Sequence, residues 1–163
     1  MTKWVNSDGL EVLYGSSKAE MRKGGEVNHG GSLREVLVTI TGTDVPAADA
    51  PIDKRITLPS GAYIDEVTLN VTTAFTSGGS ATLDIGLMLD DNDGTYSTSD
   101  DNGLDAAIAV ATLADNYRVL CDGAQVETTV TDSTNGLPLA VSYGYNTAAF
   151  TAGVAELSIK YRV

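Results

Sequence analysis

Two runs of strict alternation dominate the chain, and they flank the loop Thr76-Ser77-Gly78-Gly79-Ser80. In the first, Val67, Leu69, Val71 and Phe75 fall on one parity and Glu66, Thr68, Asn70 and Thr72 on the other, the period-two signature of a half-buried strand. The second repeats it: Leu83, Ile85, Leu87 and Leu89 share a face opposed by Thr82, Asp84, Gly86 and Met88. A Gly-rich connection of this length predicts that the two runs, spanning Tyr63–Leu89, form a hairpin at the centre of a β-sheet.

Shorter runs extend the pattern. Glu35–Thr41 turns Val36, Val38 and Ile40 inward, with Leu37 the one apolar residue on its outer face, and Arg55–Pro59 reads as a brief strand. Tyr117–Cys121, Gln125–Thr131, Leu137–Tyr145 and Glu156–Val163 read as strands separated by the turn signals Asp122-Gly123, Asn135-Gly136 and Ala152-Gly153. In the last of these Leu157, Ile159, Tyr161 and Val163 oppose Glu156, Ser158, Lys160 and Arg162, so burial is expected to continue to Val163. Ala-rich Leu104–Asn116 instead fits helical spacing at Leu104, Ile108 and Ala111 or Thr112, which predicts one short helix capped by Asp101 or Asn102. About eight strands with turns at short intervals predict an all-β fold, a jelly-roll-like or other Greek-key β-sandwich. The Pro-containing loop Gly42–Asp53 is expected to cross between its sheets.

The N-terminal stretch differs. Trp4–Gly15 has a turn signal at Asp8-Gly9 and a short alternating run of Leu10, Val12 and Tyr14, enough for a small hairpin or an edge strand. Ser16–Ser32 follows with four glycines and few apolar anchors, too few to build a core. The expected organisation is an extended N-terminal arm over residues 1–32 and a sandwich over residues 33–163.

Composition narrows the functional classes. A net charge of -12, from 22 acidic and 10 basic residues, disfavours nucleic acid as a partner, because phosphate contacts need a basic face. The charge is uneven. Met1–Arg34 holds five basic residues (Lys3, Lys18, Arg22, Lys23, Arg34) and four acidic ones (Asp8, Glu11, Glu20, Glu26), while the remainder holds five basic and 18 acidic. The near-neutral leader is thus free to lie against another protein, and the acidic body repels its own copies at low salt. Cys121 is the single cysteine, so the chain can form no internal disulfide, and a small core residue is expected there. The start lacks the apolar core of a signal peptide and the chain has no long apolar run, so neither Sec export nor a membrane span is expected.

Candidate chemistry is sparse. The segment Asp90–Asp105 carries six carboxylates, with no basic residue between Arg55 and Arg118, and reads as a surface loop. Calcium suits such a set, and Asp91, Asp93, Asp100 and Asp101 are the candidate metal ligands, set against a simply solvated loop. The EF-hand register fails, since Gly94 at its required sixth position would put Leu89 at the first ligand. His29, the only histidine, sits among glycines on the arm and is a poor triad base. Asp65 and Glu66 are adjacent, and neighbours on a regular strand point to opposite faces, which excludes a catalytic carboxylate pair. Tyr143 and Tyr145 share parity with Leu139 and Val141 and are expected inward, whereas Trp4 is a candidate interface anchor. No catalytic constellation is recognisable, and the chain is not expected to be an enzyme.

The opening Trp4-Val5-Asn6-Ser7-Asp8-Gly9-Leu10 with Tyr14-Gly15 resembles a group of tailed-bacteriophage virion proteins. Leu33-Arg34-Glu35, Leu58-Pro59 before Ala62–Val67, Asp84–Leu87, Asp101–Leu104 and Tyr145–Gly153 fit the same group in order. The resemblance implies a structural protein of the phage particle, a decoration or cement protein on the capsid exterior with a β-sandwich body. It would be made in the host cytoplasm and would have the major capsid protein as partner. On this reading the capsid-binding residues are Trp4, Leu10 and Tyr14 as apolar anchors and Lys18, Arg22 and Lys23 as contacts to acidic capsid surface. A homo-oligomer is expected, a trimer being suited to a capsid symmetry axis. The rival readings are a neck, tail or fibre-associated virion protein and a calcium-dependent carbohydrate-binding module.

Overall fold

The computed structural model describes residues 2–5, 11–14, 33–52, 56–90, 95–132 and 136–163, the first two segments as backbone only. The chain divides into two compact units, Met1–Gly30 and Gly31–Val163. In the first, β1 (Thr2–Val5) and β2 (Glu11–Tyr14) form an antiparallel hairpin with Trp4 opposite Val12 and Tyr14 opposite Thr2.

The second unit is built by alternation. Its strands among the described residues are β3 (Arg34–Thr41), β4 (Ala50–Pro51), β5 (Thr57–Leu58), β6 (Ala62–Ser77), β7 (Thr82–Asp90), β8 (Tyr96–Ala109), β9 (Arg118–Leu120), β10 (Thr129–Val130), β11 (Leu139–Asn146) and β12 (Phe150–Arg162), with a 3-10 turn at Gly42–Asp44. All pairings are antiparallel. One sheet has the order β10-β6-β12-β3, with β9 also on β6, and the other the order β4-β11-β7-β8, with β5 also on β11. The all-β sandwich expected from the alternation is therefore observed. Its core takes Ile40, Leu69, Leu157 and Ile159 from the first sheet and Leu83, Ile85, Leu87 and Val141 from the second.

Three expectations are corrected. First, β6 and β7 are not a hairpin: β6 pairs with β9, β10 and β12, and β7 with β8 and β11, so the loop at residues 78–81 passes from one sheet to the other. Alternation fixes which face of a strand is buried and is silent about which strand supplies its hydrogen bonds, so two matched apolar faces can equally well meet across the core. Second, the helix expected over Leu104–Asn116 is absent. Its first part is the end of β8 and the rest is a series of tight turns, Thr112 N–H to Ala109 O (2.8 Å), Leu113 N–H to Val110 O (3.1 Å) and Tyr117 N–H to Ala114 O (3.2 Å). The helix-like spacing arises from a bulge. Asp105 pairs with Ile85 and Ile108 with Leu83, so Ala106 and Ala107 together oppose the single residue Asp84, with Ala107 at φ 55° and both alanines exposed. Third, Val163 lies beyond β12 and is exposed, so burial stops at Tyr161.

Local sequence explains the tightest packing. Phe75 meets Phe150 edge-on, with ring centroids 5.3 Å apart. Gly153, at φ 131°, lies against the Phe75 ring, where a Cβ would collide with it, and a Cβ on Gly42 would collide with the Ala152 carbonyl. Both sheets also use broken edges. Beside β6, Leu113 O and Tyr117 O accept from Phe75 and Val71, and β9 and β10 continue the line. Beside β11, Pro46 O, β4 and β5 do the same.

Candidate functional site

The chemistry of the body lies on the outer faces of the two sheets. On the first sheet, Glu35, Lys160 and Glu66 stand in one cross-strand row. Lys160 Nζ lies 2.7 Å and the Arg118 guanidinium 3.4 Å from Glu66 Oε1, and the Lys160 contact holds the Glu66 carboxyl below its usual range. Asp65 pairs with Arg162, whose Nε donates at 2.7 Å to Oδ2 and whose guanidinium lies 5.3 Å from the Tyr63 ring centre.

Asp65 and Glu66 lie on the same side of the sheet, contrary to the expectation from a regular strand. Glu66 pairs with Lys160 and Ile64 with Tyr161, so Asp65 is the extra residue of a bulge, which turns two successive side chains outward. Both line a cleft of about 300 Å³ with Leu120, Cys121, Gly123 and Val126. Each carboxylate has a cationic partner, so the pair is organised as an ion-pair network.

The second sheet is different. Asp84 Oδ1 accepts from Ala107 N–H (2.6 Å) and Oδ2 from Asn146 Nδ2 (2.8 Å). Asp49, just before β4, leans over Gly144, whose partner on the far side is Asp84. Burial, and then the neighbouring Asp101 carboxylate in hydrogen-bond contact, raise the Asp49 carboxyl above its ordinary range. Asp105 points inward and is raised by burial, with Asp122 and Asp84 adding to the effect and a hydrogen bond to Cys121 opposing it. The Cys121 thiol is pushed up by burial and by Asp105, consistent with the small core residue expected there.

A wide bulge of β8 shapes this face. Asp100 pairs with Leu87 and Asp105 with Ile85, leaving residues 101–104 without counterparts. The bulge crosses to the connection between β9 and β10, where Gly123 N–H donates to Leu104 O (3.0 Å) and Gln125 N–H to Gly103 O (2.7 Å). It thereby straps the edge of the second sheet to the first, and Leu104 is driven into the core. The acidic segment expected to be a surface loop is in its latter half a strand. Asp100 and Asp101 diverge: the Asp100 carboxylate lies over Gly103 near Gln125, and Asp101 reaches Asp49.

The other site residues expected from the sequence stand as follows. Trp4 and Tyr14 lie in the N-terminal hairpin, while Leu10, Lys18, Arg22, Lys23, Asp91 and Asp93, with His29, fall outside the described residues. Among the described residues, no three His, Cys, Asp or Glu side chains form a group that holds a metal by themselves. Tyr143 is buried as expected, and its hydroxyl donates to Asp44 O at 3.0 Å. Sequence reasoning missed Asp49, Asp84, Ser142 and the glycines beneath them. The available signal was Gly86 and Gly144, each at an outward position inside a strand, where glycine marks close approach of another group.

No protein-family model matches the chain, and no curated protein matches it either. Solved structures do. A chain of the cyanophage Pam1 capsid asymmetric unit is similar at a TM-score of 0.58 and 22% identity, over 92% of this chain and 97% of that one. A chain of the capsid of Ralstonia phage GP4 is similar at a TM-score of 0.54 and 22% identity, over 87% of this chain and 91% of that one. This chain shares their fold.

Proposed function

We propose that this protein is a decoration, or cement, protein of a tailed-phage capsid, which binds the capsid exterior and stabilises the shell by bridging neighbouring major capsid subunits. The observation that carries the reading is the near-complete mutual coverage with the two phage-capsid chains, 97% and 91% of their lengths. The likeness is thus to whole subunits of similar size rather than to a domain within something larger. The sequence landmarks of phage virion proteins point the same way, independently of the fold.

In this reading the acidic sandwich faces outward and the near-neutral N-terminal arm lies across a seam between subunits, with Trp4, Leu10 and Tyr14 as anchors and Lys18, Arg22 and Lys23 meeting acidic capsid surface. On the body itself, Leu33 and Leu37, exposed just before and within β3, are further apolar surface for a partner. Many identical weak contacts on one particle, and a homo-oligomeric body, then give tight attachment by avidity. Co-sedimentation with undecorated phage capsids tests this. Stoichiometric binding by the intact chain, lost on deleting residues 1–32 while the remaining sandwich still melts cooperatively, is the expected result. Binding to necks or tails and not to capsids would overturn it in favour of a tail-associated role, and calcium-dependent glycan binding in favour of a carbohydrate module.

A further inference from the structure

The outer face of the second sheet has a floor of three small residues. Ser142 and Gly144 are alternate residues of β11, and Gly86 on β7 is the cross-strand partner of Ser142, so all three present the same face. Oxygen atoms of aspartate residues fill the space that larger side chains would take. Over Gly144 sits the Asp49 carboxylate, and over Gly86 the backbone carbonyls of Asp100 and Asp101, placed there by the β8 bulge. Asp49 and Asp101 touch each other, and Asp84 stands opposite Gly144. Beneath this roof Ser142 is fully buried, and its Oγ has no hydrogen-bond partner.

Two carboxylates in contact above an unpaired buried hydroxyl are unstable unless something positive lies between them. The described basic residues of the body, Arg34, Arg118, Lys160 and Arg162, all belong to the first sheet. We propose that the second sheet carries a site for a hard divalent cation, calcium, held by the Asp49 and Asp101 carboxylates, the Ser142 hydroxyl and the main-chain oxygens of Asp100 and Asp101. Asp84 keeps its hydrogen bonds to Ala107 and Asn146 and adds negative charge nearby. Such a mixed oxygen set, completed by water, suits calcium, which takes six to eight ligands without strict geometry. It requires no third side-chain carboxylate. Of the four ligands expected from the sequence only Asp101 contributes a side chain here, with Asp100 lending its main-chain oxygen.

The site joins four strands. Asp49 precedes β4, Ser142 is on β11, Asp84 on β7 and Asp101 on β8, so a bound ion ties the strap at residues 101–104 to the opposite edge of its sheet. The inference is independent of the capsid reading, because it concerns the isolated chain.

Thermal melting and calorimetric titration of the full chain with CaCl₂ test it. In EDTA the wild type melts at its lowest temperature; millimolar CaCl₂ raises Tm, and the same ionic strength from NaCl does not. One calcium binds per chain, with a dissociation constant of about 10⁻⁴–10⁻³ M, the range of extracellular modules. Asp101→Asn and Asp49→Asn relieve the carboxylate contact, so each melts above the wild type in EDTA and loses the calcium-induced rise. Ser142→Ala remains folded and binds calcium several-fold more weakly, and Asp115→Asn, on a distant turn, leaves the titration unchanged. A calcium-induced rise retained in Asp101→Asn would overturn the proposal. So would a wild-type rise matched by NaCl, or a stabilising Asp49→Asn in a protein that takes up no calcium, which would mean that the two carboxyls share a proton instead.

Discussion

The two sheets share a core and follow opposite electrostatic rules. On the first, the bulged pair Asp65 and Glu66 meets Arg162, Lys160 and Arg118, and each carboxylate lies beside a cation. On the second, Asp49, Asp84 and Asp101 have no cationic side chain among the described residues, and they rest on backbone N–H groups, an asparagine and one another. The buried faces are alike because alternation and packing leave little choice there. The outer faces differ because water tolerates either arrangement, so their charge is free to serve binding. The first sheet satisfies its own charges, and the second leaves charge for something else to satisfy.

The most severe test of this comparison attacks what the sheets have in common. Leu157 and Leu87 are both fully buried, one in each sheet, and alanine at either should cost about 2–5 kcal/mol in urea denaturation. Similar losses with a single transition mark one cooperative core; two transitions would show that the sheets unfold separately. Gly153→Ala comes next. At φ 131° and against the Phe75 ring, the new methyl meets both backbone strain and a collision, and about 2 kcal/mol or more should be lost.

Acidification then separates the sheets. Asp49 and Asp105 have folded-state values raised above their unfolded ones, so the native protein holds protons that the unfolded chain has released. Their contribution to stability is therefore greatest at low pH and declines as pH rises from the ordinary carboxylate range through the raised values. Glu66 behaves oppositely: its contribution is present above its ordinary value and is lost as pH falls through the lowered one. The urea midpoint in EDTA should rise as pH falls from neutrality towards the ordinary carboxylate range and drop at lower pH. Asp49→Asn and Asp105→Asn should each flatten the neutral-side slope and spare the acid limb. The smallest effect is expected from Lys160→Ala. It removes a half-exposed pair that salt screens, so it should shift the midpoint little, and it should flatten the acid limb slightly, because Glu66 loses the contact that lowers its carboxyl.

Much of the fold was legible from particular residues. Val67, Leu69 and Val71, like Leu83, Ile85 and Leu87, announced two strands and their buried faces, and all six are buried. Leu37 was correctly the outward exception on β3. The site was mostly illegible, because its members, Asp49, Asp84, Asp101 and Ser142, come from four segments that no local pattern connects. Only Asp101 was singled out, and for a different ligand set.

Local pattern and composition suffice for the fold class, the inward parity of the long strands, the burial of Cys121 and the excess of negative charge, because period-two hydrophobicity is a local property that burial must respect. Long-range folding alone makes β6 and β7 face each other across the core, lets bulges turn Asp65 outward and Asp105 inward, and brings Asp49 to Asp101. Those outcomes depend on which strand supplies each hydrogen bond and where one residue too many is absorbed. Both are settled by partners distant in the chain, which alternation along a single strand does not encode.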